Sequence, residues 1–534
     1  MSDAAQAGFD AADYAHAAPL VNPWLIAITV MLATFMEVLD TSVANVSLPH
    51  IAGSLSAGVD ESTWVLTSYL VSNAIVLPLT GWFSTLFGRK RFFLGCVVVF
   101  TVSSLLCGLA PSLPLLVFFR TIQGAGGGGL QPISQAILVD SFPRRKQGMA
   151  MAIYGMGVVL APTIGPTIGG WITDSYTWRW IFFLNVPVGI ISVVLTTLLI
   201  ADPKGAVRRT LKEGLRIDFI GLGLLAVGLG FLQVVLDKGE RDDWFGSTFI
   251  LWGAVIAATA LIVLIWWELR AKDPVIELRL LKDRNFAIST LMMYVLGVVM
   301  YGTTVLLPIM LQTLMGYTAM QSGLALLPGG LVLIGFLPFV GWLLGRFEPR
   351  WIVVIGLSII AIGLWQLSRF TLQVGMSTTV VDWMISRTGT AFLFVPINVM
   401  AFSFVAPEKT NNATGFINLA RNIGASTGIS FVTTMLDRRA QFHQSRLVPN
   451  LTPTNQGYQA ALSRLIHVFV MRGLDAAHAA LMAQQFIYAQ LQRQAAMLSF
   501  VDNFWVMSMI CLAVIPLLFL MKASKGRGRR APMH

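Results

Sequence analysis

Two acids stand where acids are rare. In "FMEVLDTSVANVSLP" (35–49), Glu37 and Asp40 follow the uncharged run "WLIAITVMLAT" that begins at Trp24. A charged side chain at the centre of a spanning helix costs roughly 2.5–3.5 kcal/mol on insertion scales. Being three residues apart, the two acids share one helix face. Apolar burial disfavours the charged form of a carboxylate, so such an acid can take up a proton near neutral pH. An acid that binds a proton facing one side of a membrane and releases it facing the other is a coupling element. The plainer alternative is a permanent ion pair that only holds helices together. Arg120, in "LVFFRTIQGAGGGG", is the expected partner, with Gln123 one turn on and glycines beyond it that admit a close helix neighbour.

Other residues could serve the same chemistry. "GVVLAPTIGPTIGG" (157–170) puts Pro162 and Pro166 among Gly157, Gly165, Gly169 and Gly170, which predicts a bent, closely packed helix and a possible gate against leak. Arg387 and Arg421 are cations inside apolar segments, Arg421 between Asn418 and Asn422. They could bond backbone carbonyls or line a cavity. Trp64, Tyr69, Met292, Met293, Met300, Tyr301, Phe392 and Phe394 could line a greasy, adaptable pocket, although lipid-facing residues look the same.

Enzymatic chemistry is not expected. "GAGGGG" (124–129) lacks the Lys-Ser or Lys-Thr of a phosphate loop, and no HExxH or paired CxxC occurs. The three cysteines, Cys96, Cys107 and Cys511, lie in apolar runs without metal-ligand spacing. No cofactor or metal is expected. With no nucleotide site, uphill movement of a solute would have to draw on an ion gradient.

The elements that position these residues follow from composition. Of 534 residues, 55% are hydrophobic and 12% charged, half the charged share of about 25% in soluble domains. The apolar runs approach the ~20 residues that span a bilayer as a helix, and they do not alternate as barrel strands do. Spans are predicted at about 24–46, 62–84, 92–110, 113–138, 147–171, 179–200, 217–236, 249–268, 286–311, 321–345, 351–370, 379–404, 411–436 and 503–521. Residues 1–22 carry no Lys or Arg, so the first run reads as a retained span and not a leader.

The net charge of +11 does not point to nucleic acid, because the basic residues cluster in short loops after even-numbered spans: "GRKR" (88–91), "PRRK" (143–146), "RRTLKEGLR" (208–216) and the tail from 522, with Arg438, Arg439, Arg446, Arg464, Arg472 and Arg493 of the long segment 437–502 as the exception. That bias places both termini in the cytoplasm. The expected plan is an N-terminal tail (1–23), a six-helix bundle (24–200), an inserted helix pair with linkers (201–285), a second six-helix bundle (286–521) and a basic tail (522–534). Within the second bundle, the polar segment 437–502 reads as an external pair of amphipathic helices, with Asp475 capping the second. "FFRTIQGAGGGGLQP" (118–132) has an echo in "ISRTGTAFLFVP" (385–396), as expected if the halves are repeats.

Taken together, "LDTSVANVSLP", "GWFSTLFGRKR", "RTIQGAGGG", "GVVLAPTIGPTIGG" and "WRWIFFLNVPVG" resemble the major facilitator superfamily. More narrowly, they are similar to its fourteen-helix drug:proton antiporters of the EmrB type, over about residues 24–521. The resemblance implies an all-α polytopic fold of two six-helix bundles plus an inserted pair. It implies proton-coupled export of hydrophobic or amphipathic toxicants from the bacterial inner membrane by alternating access. It also implies a periplasmic adaptor and an outer-membrane channel as partners. Asp40 and Asn45 match the first-helix motif, and Arg120, Gln123 and Gly124 the fourth-helix motif. Gly157, Pro162, Gly165, Pro166, Gly169 and Gly170 match the antiporter motif, and Gly81, Gly88, Arg89 and Lys90 a cytoplasmic latch. The latch usually carries an acid where this chain has Thr85, and Ser42 replaces a frequent Thr. Export of one dedicated lipid, siderophore or metabolite is the alternative on the same fold.

Overall fold

The computed structural model describes residues 22–201, 218–271, 274, 276–403, 405 and 409–522. The expected tails up to 21 and from 523, and the basic loop 208–216, lie outside the described residues. Every regular element among those described is helical.

The first half of the chain forms α1 (Pro23–Ser54), α2 (Trp64–Phe87), α3 (Arg89–Leu109), α4 (Leu113–Gly127), α5 (Leu130–Ser141), α6 (Arg144–Ser175) and α7 (Asn185–Leu199). Two helices follow, α8 (Phe219–Lys238) and α9 (Thr248–Arg270). The second half contains α10 (Arg284–Thr313), α11 (Ala319–Leu343), α12 (Pro349–Leu367), α13 (Met376–Phe402), α14 (Thr410–Leu447), α15 (Gln456–Met471) and α16 (Ala476–Leu518).

Local chemistry sets the ends. Asn22 caps α1, accepting from the Trp24 amide at 3.0 Å, and Pro23 supplies the first helical residue, where a missing N–H is harmless. Asp283 caps α10, and Thr318 with Gln321 forms a reciprocal capping box on α11. Gly88 joins α2 to α3 at φ +83°, a conformation that side chains with a Cβ resist. Asp475 caps α16 through the amides of Ala477 and His478, as its position after Gly473 predicts.

Among the described residues, eleven helices are long and apolar enough to cross a membrane, or twelve if the two arms of α6 count as one span. Those arms, Lys146–Pro162 and Thr167–Thr173, are bent by 41°, as two prolines within five residues predict. The α4–α5 pair and α14 are not in that set. α4 and α5 are 15 and 12 residues long, each too short to cross alone, and α14 carries Asn418, Arg421 and Asn422 in its otherwise apolar part. With them, the fourteen expected spans are each represented by helix. Two helices run on past their expected spans: α14 continues to Leu447, and α16 starts at Ala476 before its apolar part. The expected external pair is therefore α15 and the first part of α16, which pack on each other, and the second of them runs unbroken into the last span.

Small residues set the closest approaches. A Cβ on Gly157 or Gly169 of α6 would meet Met31 or Val43 of α1, so the antiporter-type glycines seat α6 against the helix that bears the two acids. Between α10 and α14, a Cβ on Gly297 would lie 2.9 Å from the Ala425 amide, and one on Gly428 would lie 2.7 Å from the Val298 Cα. The outward faces are apolar: Val102 and Leu109 on α3, and Ile262 and Ile265 on α9, are exposed, as lipid contact requires.

The inserted helices α8 and α9 pack on each other, and α8 lies against the seam between α2 and α14. Lys238 donates to Thr63 Oγ1 at 2.8 Å and Thr67 donates to Asp237, which ties α8 to the start of α2. On the other side of the seam, Ser426 donates to Gln233 at 3.0 Å, and the Trp244 indole donates to Thr434 at 3.0 Å.

The glycine packing is testable. Gly428→Val would force apart α10 and α14 and is expected to destabilise the protein by about 1–3 kcal/mol, the usual range for overpacking. Thermal unfolding of purified protein in detergent would show this, and an unchanged midpoint would mean the two backbones are not in contact.

Candidate functional site

The site is built around α1. Asp40 is 3% exposed and Glu37 4% exposed, so neither acid faces solvent. Arg120 from α4, itself fully buried, forms an ion pair with Asp40 Oδ2. Asp40 Oδ1 accepts from Gln123 Nε2 at 3.0 Å and from Asn185 Nδ2 at 2.7 Å. Arg120 also donates through Nε to the Val65 carbonyl at 3.0 Å and through Nη1 to Gln123 Oε1 at 2.9 Å. Its guanidinium lies 4.4 Å from the centre of the Tyr69 ring and 5.6 Å from that of Phe182. The charge of Asp40 is thus met by one cation and two amides, the arrangement that makes burial of an ion pair tolerable.

Glu37 has different company. It accepts from Tyr69 Oη at 3.1 Å, Asn73 Nδ2 at 3.3 Å and Gln131 Nε2 at 2.6 Å. All three donors are neutral. Gln131 in turn accepts from Arg421 on α14, so one amide links the first-half acid to a second-half cation. Two further amide contacts cross the same seam. Asn418 Nδ2 donates to Gln135 Oε1 at 3.0 Å, and Asn422 Nδ2 donates to Asn73 Oδ1 at 3.3 Å.

The glycine run explains how three helices reach this point. A Cβ on Gly126 would lie 2.8 Å from the Phe100 amide on α3, and one on Gly128 would lie 2.7 Å from the Asn73 carbonyl on α2. Gly124 approaches the Tyr69 backbone in the same way.

Of the expected site residues, Asp40, Glu37, Arg120, Gln123 and Arg421 come together. Asn45 does not. Five residues beyond Asp40, it lies about 140° round the helix and is exposed. The amide on Asp40 comes instead from Asn185 of α7. Arg387 also stands apart: its Nη2 donates to Thr304 Oγ1 at 2.8 Å and Thr303 Oγ1 at 3.2 Å, and its guanidinium stacks 3.8 Å from the Trp383 ring centre.

The expected greasy pocket is not one place. Trp64 sits at the start of α2 beside Lys238, while Met292 and Met293 are core residues of α10. Phe392 packs against Phe336 and Phe339, Phe394 lies 5.9 Å from Arg421, and Tyr301 is half-buried. Met300 gives its carbonyl to Arg387, and Tyr69 belongs to the Glu37 cluster.

In the antiporter-type motif, Gly165 lies against Ser42 and Pro162 is half-buried, whereas a Cβ on Gly170 would meet nothing within 4 Å. The Pro166 side chain is outside the described set. In the latch, Gly81 lies against Asn412 of α14, Arg89 pairs with Asp140 of α5, and Lys90 Nζ donates to the Thr197 carbonyl at 2.7 Å. Among the described residues Thr85 bonds only the Gly81 carbonyl of its own helix, at 2.9 Å, and the acid that Arg89 meets is supplied by α5.

"GASTG" (424–428) has the Gly-x-Ser-x-Gly spacing of a hydrolase nucleophile turn. Ser426, however, is interior to α14 and donates to Gln233, without the strand-to-helix turn that such a nucleophile needs.

A set of apolar helices long enough to cross a membrane, with a buried acid–arginine pair inside it, describes a multi-pass membrane transporter. The sequence pattern of the Major Facilitator Superfamily matches residues 30–429, and the chain belongs to that family. It is 37% identical over 515 residues to "Multidrug export protein EmrB" of Escherichia coli (strain K12), covering 96% of this chain and 98% of that protein. It is 34% identical to "Fatty acid resistance protein FarB" of Neisseria gonorrhoeae, covering 93% of this chain and 96% of that one. The fold is similar to that of the proton:xylose symporter XylE, with a TM-score of 0.59 at 14% identity over 94% of this chain and 97% of that one.

Breaking the ion pair from one side should be worse than removing it. Arg120→Gln leaves Asp40 buried and uncompensated and is expected to destabilise by about 3–5 kcal/mol. The double variant Asp40→Asn/Arg120→Gln should recover most of that loss. Thermal unfolding of the variants in one detergent checks this, and a double variant no better than Arg120→Gln would show that the pair is not the source of the loss.

Proposed function

We propose that the protein exports hydrophobic or amphipathic toxic compounds in exchange for protons by alternating access. The observation that carries this reading is the Glu37–Gln131–Arg421 connection. It joins a buried acid of one half to a cation of the other, so the charge on the acid bears on whether the halves stay together. Asp40 is met by a cation and two amides in this arrangement. Among the described residues Glu37 touches no cation directly, so a proton neutralises it with the smaller loss of contacts. Protonation of Glu37 weakens its claim on the Gln131 amide, loosens the hold on Arg421 and frees the α2–α14 seam to open. Asp40 and Arg120 hold α1 and α4 in register while this happens.

The support for multidrug export is the near full-length identity to a multidrug export protein, together with the family. The setting is the bacterial inner membrane with both termini in the cytoplasm, as the distribution of Lys and Arg supports. α15 and the projecting parts of α14 and α16 then form the periplasmic surface offered to an adaptor, which would pass substrate to an outer-membrane channel. The relative named for fatty acid resistance supports a second reading, export of one dedicated lipid. Competition among unrelated compounds for transport separates the two: mutual inhibition is expected, and its absence favours the dedicated exporter.

The deciding experiment uses inside-out vesicles with an acidified lumen. Addition of a transported drug is expected to release protons from native vesicles. Glu37→Gln should abolish drug-triggered release, and Asp40→Asn should reduce it. Release that persists undiminished in both variants would remove these acids from the coupling step.

A further inference from the structure

The two arginines of the internal echo, Arg120 in "FFRTIQG" and Arg387 in "ISRTGTA", occupy corresponding helices of the two halves but have different partners. Arg120 on the fourth span meets Asp40 on the first. Arg387 on the fourth span of the second half, α13, meets Thr303 and Thr304 on the first span of that half, α10. Two hydroxyls therefore stand where the first half has a carboxylate. Each hydroxyl already donates to its own helix, Thr303 to the Val299 carbonyl at 2.7 Å and Thr304 to the Met300 carbonyl at 2.6 Å, so towards Arg387 they only accept.

Arg387 is 5% exposed, and among the described residues it makes no ion pair. Its Nη2 makes all of its hydrogen bonds, and its buried Nε makes none. The nearest acid along α13, Asp382, is five residues away and about 140° round the helix. A cation buried against neutral partners is expensive, and an arriving anion removes that expense. The surroundings suit an amphipathic one. Trp383 stacks on the guanidinium, and a small apolar cavity lined by Met300, Leu357, Ile360 and Leu393 shares Thr303 with the Arg387 shell.

We propose that Arg387, with Thr303 and Thr304, is an anion-recognition subsite that supplies the missing counter-ion from the substrate, so that the transporter accepts lipophilic anions bearing a compact carboxylate- or sulfonate-type head. This deepens the export reading and rests on it for the direction of movement, but not for binding.

The test is calorimetric binding to native protein in nanodiscs without a proton gradient. The probes are decanesulfonate, decanol and decyltrimethylammonium. Native protein is expected to bind decanesulfonate most tightly. Arg387→Gln should weaken sulfonate binding roughly tenfold to a hundredfold, the loss of one charged hydrogen-bonded contact, and weaken decanol binding far less. Thr304→Asp supplies the internal carboxylate that the first half has. It should abolish the preference for the anion with Arg387 still in place, which keeps the test open should Arg387→Gln fail to fold. No anion preference in native protein, equal losses for sulfonate and decanol in Arg387→Gln, or a preference that survives Thr304→Asp would each overturn the proposal. Because binding is read without a gradient, a failure of proton release in the vesicle experiment leaves this result untouched, and the reverse holds too.

Discussion

Charge taken out of water must be met by charge or by hydrogen bonds, and the Asp40–Arg120 pair meets that demand at the centre of the first half. Much of the local sequence follows from it. Gln123 and Asn185 fill the remaining acceptor positions of the acid, Val65 offers a carbonyl to the cation, and Tyr69 and Phe182 cover the guanidinium faces. Four helices are thereby fixed on one ion pair. The glycines of α4 bring the backbones of α2 and α3 close enough for this, and those of α6 seat a bent helix on the back of α1.

Glu37 is built on a different principle. Its partners are a phenol and two amides, groups that can turn to serve either form of a carboxyl. One of those amides, on Gln131, is shared with Arg421 in the other half. A rigid pair and an adjustable cluster thus sit one helical turn apart. The first sets the frame, and the second can change without breaking it. In the second half, Arg387 keeps the cation of the first arrangement with hydroxyls in the place of its acid, which gives two related bundles different electrostatic characters.

Much of this was legible in the sequence, for physical reasons. An acid or arginine inside an apolar run is conspicuous because it is costly, so Glu37, Asp40 and Arg120 could be found and the last two paired before any fold was known. The prolines of α6 and the glycine at 88 declared a bend and a turn. Asn185 escaped notice, although it is the one polar side chain in "WIFFLNVPVG", because spacing along a chain does not say which helices face each other. The same limit put Asn45 with Asp40 on the strength of motif alone, when five residues of helix turn it away. The length of α14 and α16 was hidden too. Hydropathy marks where a helix leaves lipid, and it is silent on whether the helix stops there.

The inserted pair has a consequence for how solutes reach the interior from the side. The halves meet along two seams, α2 with α14 and α6 with α11. Helix α8, with α9 packed on its outer side, lies against the first, and α8 and the turn after it are tethered to both walls, through Lys238 and Asp237 to the start of α2 and through Gln233 and Trp244 to α14. A molecule dissolved in the bilayer that drifts toward that seam meets a two-helix screen. The molecule is therefore not equivalent on its two flanks. On the α6–α11 flank no such helix pair covers the seam among the described residues, and there Gly148 and Gly341 bring the two backbones together.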